Sequence, residues 1–328
     1  MLLPPKVLFA ALAILFALGL EVPRSVEYAP FAVSLVLFGL PHGALDHLVP
    51  DRLAGRGATV RSIGAVVLLY VALGGLYLIL WFVAPAVAFV FFIGLTWFHW
   101  GQGDLHTLLF LDNAGHLQTP FVRAATVFVR GGLPMLVPLL AYPDVYREVL
   151  GSGTALFDPR AGATLNWVFD PTFQVAVGSA FVLVTLILMA KEFMAVTPES
   201  RRPWANDTFE TVLLAAYFVV MPPILAIGLY FCLWHAPRHI ARLSLLNDPS
   251  RNALERGQVL PAARTFAWEA APITLAALAM LIALYFIVPT AGVGIESLLG
   301  LYLVLISLLT LPHVVVVSYM DHRQGVWR

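Results

Sequence analysis

Charge is what this sequence has least of. Asp, Glu, Lys and Arg make up 12% of its 328 residues, against roughly 25% in a soluble domain, and the mean hydropathy is +0.86. A chain so poor in charge does not clothe a water-facing globule. Nineteen basic residues balance nineteen acidic ones, so no positive excess presents itself to nucleic acid. There is one cysteine, Cys232, which excludes an intrachain disulfide and a cysteine-rich zinc site. Long polar stretches are absent as well, which leaves no room for a soluble domain. The chain reads as a single integral membrane domain over residues 1–328, all-α and polytopic, with the lipid bilayer as its surroundings.

A span needs about 20 apolar residues. The candidate runs are 7–20, 29–40, 62–83, 86–100, 173–190, 211–234, 266–288 and 295–318. The first follows Lys6 as a signal peptide would, but it lacks a small-x-small cleavage site and reads as a span. A ninth run, 121–142, carries Arg123, Arg130, Gly131-Gly132, Pro134 and Pro138. Backbone interrupted in that way survives at membrane depth only when buried in protein or facing water, so a broken or re-entrant segment is expected. Eight spans without it put 15 Lys and Arg on the side of the N-terminus and 4 on the other. The positive-inside rule then places both termini in the cytoplasm of a cell-membrane protein.

Eight of the nine histidines sit at or just beyond apolar runs; His116 alone stands in a polar loop. Ionisable groups at membrane depth are costly and mark function. The stretch 41–47, PHGALDH, places His42, Asp46 and His47 within seven residues. His42 and Asp46 share a helix face, and Asp46 could fix the tautomer of His42 or of a neighbour. His99 ends an uncharged run, with Asp104 and His106 beyond Gly101 and Gly103. The two histidines of WHAPRH, His235 and His239, are four apart, so one ion could meet both rings on a helix; Pro237 between them makes the helix kink or begin there. Arg238 reads as a cytoplasmic anchor. His313 follows Pro312 and could line the same cavity, while His322 reads as solvated tail. For each histidine the plain alternative is a hydrogen-bonded interfacial residue.

Several such histidines on one ion make an all-imidazole site, which suits Fe(II), Cu or Zn. In apolar surroundings that points to a greasy substrate and O2. The four blocks PHGALDH (41–47), WFHWGQGD (97–104), WHAPRH (234–239) and PHVVVVSYMD (312–321) together resemble the Brp/Blh family of microbial membrane β-carotene 15,15′-dioxygenases. The resemblance runs from about residue 29 to 322. It implies a non-haem Fe(2+) enzyme that splits β-carotene with O2 into two retinals, with iron on His42, His99, His235 and His239. Asp46, His47, Asp104, His106 and His313 are then the surrounding candidates. A di-iron lipid hydroxylase or desaturase is the alternative enzyme, but it typically uses adjacent His-His pairs, and this chain has none. A bis-histidine haem protein is the alternative binding function.

Overall fold

The computed structural model describes residues 3–288 and 294–328. Among them, helices α1 (Leu3–Ala17), α2 (Arg24–Leu53), α3 (Val60–Val83), α4 (Pro85–Phe110) and α5 (Pro120–Ala141) come first. After the short α6 (Pro143–Thr154) and a 3-10 stretch (Ala161–Phe169) come α7 (Pro171–Met194) and α8 (Arg201–Val220). The chain ends with α9 (223–244), α10 (Asp248–Glu255), α11 (Val259–Ile287) and α12 (Ile295–Gln324). No strand occurs among the described residues. Polar side chains start several helices: Thr59, Thr119 and Asp170 accept bonds from the first free N–H groups of α3, α5 and α7. Gly325, at φ +77°, closes α12 in the left-handed conformation.

Six described helices are long and apolar enough to cross a membrane: α2, α3, α5, α7, α11 and α12. Of these, α5 and α12 are mostly enclosed by protein, whereas α3, α7 and α11 turn most of their surface outward. That outward surface is apolar, as lipid requires.

Two expectations about the spans need correction. The segment 121–142 is not broken, because α5 runs unbroken through Gly131-Gly132, Pro134 and Pro138. The glycines are there for contact: a Cβ on Gly131 would lie 1.8 Å from the carbonyl oxygen of Trp97, and one on Gly101 2.0 Å from that of Val127. Helices α4 and α5 therefore pack antiparallel with their backbones touching. The run 211–234 is not one span. Helix α8 ends at Met221, in extended conformation before Pro222-Pro223, and the chain reverses into α9. The reversal brings Glu210 of α8 within 3.4 Å of Arg238 on α9. A proline pair stops a helix because it removes two donors and disfavours helical backbone before it.

The extra crossing and the extra reversal offset each other. Helices α2, α4, α9 and α12 all run the same way, as the pairings of His99 with His235 and His313, Asp104 with Arg238, Gln102 with Ser318, Ser34 with Tyr302 and Asp46 with His313 require.

Candidate metal centre

Five imidazoles from those four parallel helices meet in the second half of each. His42 comes from α2, His99 from α4, His235 and His239 from α9, and His313 from α12. Two of the helices reach the site through widened π turns, Ser34–Gly39 just before His42 and Phe231–His235 ending on His235. Each turn precedes a proline, Pro41 or Pro237. A proline ring collides with the carbonyl four residues back, and a wider turn lets the helix continue past it. So the helix at Pro237 neither begins nor breaks, and both histidines of WHAPRH stay on one continuous helix.

The rings are tightly grouped. Centre-to-centre distances run from 4.7 Å for His99 and His313 to 6.3 Å for His42 and His99. His99 and His235 lie 4.8 Å apart with their Nε2 atoms at 3.1 Å, and His42 lies 5.9 and 5.8 Å from His235 and His239. Imidazoles sharing one ion at about 2.0–2.1 Å have ring centres about 4.5 Å apart at right angles and about 6.4 Å apart when opposed. Eight of the ten ring pairs have separations between those limits. A porphyrin does not fit between rings so crowded.

Hydrogen bonds set the tautomers. Nδ1 of His42 donates to the carbonyl of Gly39. Nδ1 of His313 is 2.7 Å from Oδ2 of Asp46, which also accepts from the hydroxyl of Tyr70 at 2.6 Å. Nε2 of His239 and Nε2 of His313 are buried without a hydrogen-bond partner. Unpartnered buried nitrogens are expensive, and a metal ion satisfies them. The donor set fits a divalent transition metal.

The remaining candidates separate. Asp46 serves His313 rather than His42. His47 bonds the carbonyl of Ala44 at 3.0 Å, and His106 stacks on Phe110 with ring centres 4.8 Å apart; neither joins the cluster. Asp104 accepts from Arg238 at 2.8 Å and from the indole of Trp234 at 3.0 Å, so it ties α4 to the segment that carries His235 and His239. Arg238 is thus no cytoplasmic anchor. It is buried, and its guanidinium lies 3.9 Å from the Trp234 ring centre. His116 is fully buried rather than solvated, 3.0 Å from Asp207. His322 is exposed, as expected of a tail. Sequence reasoning kept His313 at the margin although it shares with His42 a proline immediately before it in an apolar helix. It missed Tyr70 altogether, because nothing local marks a tyrosine as a partner of Asp46.

Beside the rings lies a cavity of about 300 Å³, bounded by His42, His99 and His313 and otherwise almost wholly apolar. Phe92, Ile227, Phe231, Met280 and Tyr302 are among its walls, and along α12 it extends from Leu299 to His313. Fourteen steps along a helix are about 21 Å. Pro134 and Met135 contribute, but Gly101, Gly103, Gly131 and Gly132 do not, having been spent on helix contacts and clearance.

The chain has known relatives. It is 44% identical over 308 residues to the probable β-carotene 15,15′-dioxygenase Blh of Halobacterium salinarum, covering 94% of this chain and 88% of that one. It is 30% identical over 332 residues to the probable β-carotene 15,15′-dioxygenase Brp of the same organism, covering 98% and 90%. A β-carotene 15,15′-dioxygenase of the uncultured marine bacterium 66A03 is 22% identical over 295 residues, covering 88% and 92%. No solved structure matches the chain. The family model described as β-carotene 15,15′-dioxygenase matches residues 33–321, a stretch that holds all five clustered histidines. This chain therefore belongs to the β-carotene 15,15′-dioxygenase family.

Proposed function

We propose that this protein splits β-carotene at its central double bond with O2, yielding two retinals, at an Fe(II) held by His42, His99, His235 and His239. One observation carries the reading: a cluster of imidazoles borders an apolar cavity inside a membrane bundle of this family. Neutral imidazoles leave the ion its full charge. Iron supplies the redox chemistry that O2 needs to react with an alkene, which zinc does not have.

The protein's own contribution is position and dryness. Asp104 holds Arg238 and Trp234, and so fixes the helix that presents His235 and His239. Phe92, Phe231 and Tyr302 confine a polyene beside the ring cluster and exclude water. β-Carotene dissolves in the bilayer core, and passage through water would cost about 25 cal/mol per Å² of its apolar surface. The apolar lining supports entry from lipid.

The protein belongs in the cell membrane with both termini cytoplasmic. With α5 crossing and 211–234 folded back, Arg24, Arg147 and Arg160 lie at the far end and Lys6, Arg130, Arg238 and Arg242 are buried; the other twelve of nineteen Lys and Arg are at the histidine end. That asymmetry supports the orientation.

Expression in a β-carotene-producing cell, with products separated by chromatography, tests the activity. Retinal should accumulate with the parent chain and be absent with H235A. Apocarotenals of other lengths in place of retinal would overturn central cleavage.

A further inference from the structure

We propose that His313 is itself a ligand of the metal ion, a fifth imidazole oriented by Asp46 and Tyr70. This rests on the metal centre proposed above and adds to it.

Position comes first. The His313 ring centre is 4.7 Å from His99, 4.9 Å from His42 and 5.0 Å from His239. Those three rings stand 5.8 to 6.3 Å from one another. His313 is closer to each of them than they are among themselves, and its separations sit near the right-angle value of about 4.5 Å for ligands of one ion. A histidine set outside the ligand shell would lie farther from all three.

Protonation gives an independent argument. Asp46 Oδ2 faces Nδ1 of His313 at 2.7 Å and also takes the hydroxyl of Tyr70. An ionised carboxylate only accepts hydrogen bonds. The imidazole proton is therefore on Nδ1, and Nε2 of the neutral ring carries a lone pair. Nε2 has no donor against it, and the residue is 3% exposed. With the ring neutral, Nε2 offers a lone pair to an ion and no proton to O2 or to an aldehyde oxygen. One ligating atom from each of His42, His99 and His313 lies within 4.8 Å of the others, as sharing one ion requires. The carboxylate behind it is the arrangement that fixes ligating histidines and raises their basicity. By contrast His106, also buried, stacks on Phe110 and lies outside the cluster.

Five imidazoles leave a six-coordinate ion one position for an outside molecule. His42, His99 and His313 border the cavity whereas His235 and His239 do not, so the substrate side is shared by three ligands.

The test uses full-length protein in detergent, loaded anaerobically with Co(II) as a spectroscopic substitute, alongside H235A, H313A, H313Q and D46N. The parent should bind one ion per chain. H313A and H313Q should bind it at least tenfold more weakly, with visible bands shifted and changed in intensity because a ligand is lost. D46N should bind more weakly yet keep the parent's band shape, since it loosens a ligand without removing it. An H313Q protein with the parent's spectrum and affinity, alongside an H235A protein that has lost both, would overturn the role of His313 alone. A parent chain that binds no stoichiometric ion would overturn the metal centre with it. X-ray absorption of the iron-loaded parent needs no variant: five imidazoles support the proposal, and four overturn it.

Discussion

Among the buried charged side chains, six face one another: Lys6, Arg130 and Arg238 against Asp104, Asp207 and Glu210. They form one linked, balanced set. Arg130 meets Asp207 at 2.6 Å and Glu210 at 3.0 Å, Glu210 meets Lys6 at 2.7 Å, and Arg238 joins Glu210 to Asp104. Each ion costs several kcal/mol to bury, and removing one partner strands the others. R130M should therefore lose about 3–5 kcal/mol, read as a lower thermal midpoint in detergent. An R130M protein that melts with the parent would show the network to be dispensable. In the sequence Arg130 looked like evidence of a broken helix, Arg238 like an anchor and His116 like a residue of a polar loop. All three readings used local context, whereas Asp207 lies 77 residues from Arg130 and 91 from His116. An ion pair erases the cost of burial only through a partner that the neighbouring sequence does not contain. The four histidines assigned from their blocks needed no such partner to be noticed, because an imidazole at the end of an apolar run is conspicuous by itself.

At the scale of the element, helix α4 carries His99 between its two tightest contacts with α5, at Trp97 and Gly101. G131A would push a methyl against the backbone of Trp97, where no side chain can swing aside. The expected outcome is a loss of at least 1–3 kcal/mol by overpacking and weaker metal binding through a displaced His99. G94A in the same helix meets nothing within 4 Å and should be neutral or up to about 1 kcal/mol stabilising. If the two variants melt alike, close α4–α5 contact is not what those glycines serve. Apolar helix positions were legible because composition and length suffice for them. Glycine and proline were not, because one residue type has several uses. Gly131-Gly132 suggested a break and mark a contact; Pro237 suggested a kink or a helix start, and it is absorbed by a π turn. Pro222-Pro223 does reverse the chain, yet it lay hidden in an apolar run long enough to cross once.

For the whole molecule, the count of crossings was misread twice and the common direction of the histidine helices survived, since one added crossing and one added reversal restore parity. The two versions differ in the middle of the chain, and that difference is measurable. A reporter fused after Ala163 should lie outside the cytoplasm and one fused after Thr197 inside it, the reverse of what eight spans without α5 require. A cytoplasmic signal after Ala163 would remove α5 as a crossing. The wide spacing of the five rings along the chain has a consequence for how the protein is made. His42 and His99 emerge early, His235 and His239 more than 130 residues later, and His313 only with α12. Until α12 packs into the bundle the ring cluster lacks one wall, so a metal centre of the proposed kind would be completed only at the final stage of maturation. A ribosome stalled before α12 leaves a nascent chain already in the bilayer with its earlier histidines in place, unable to build the complete centre.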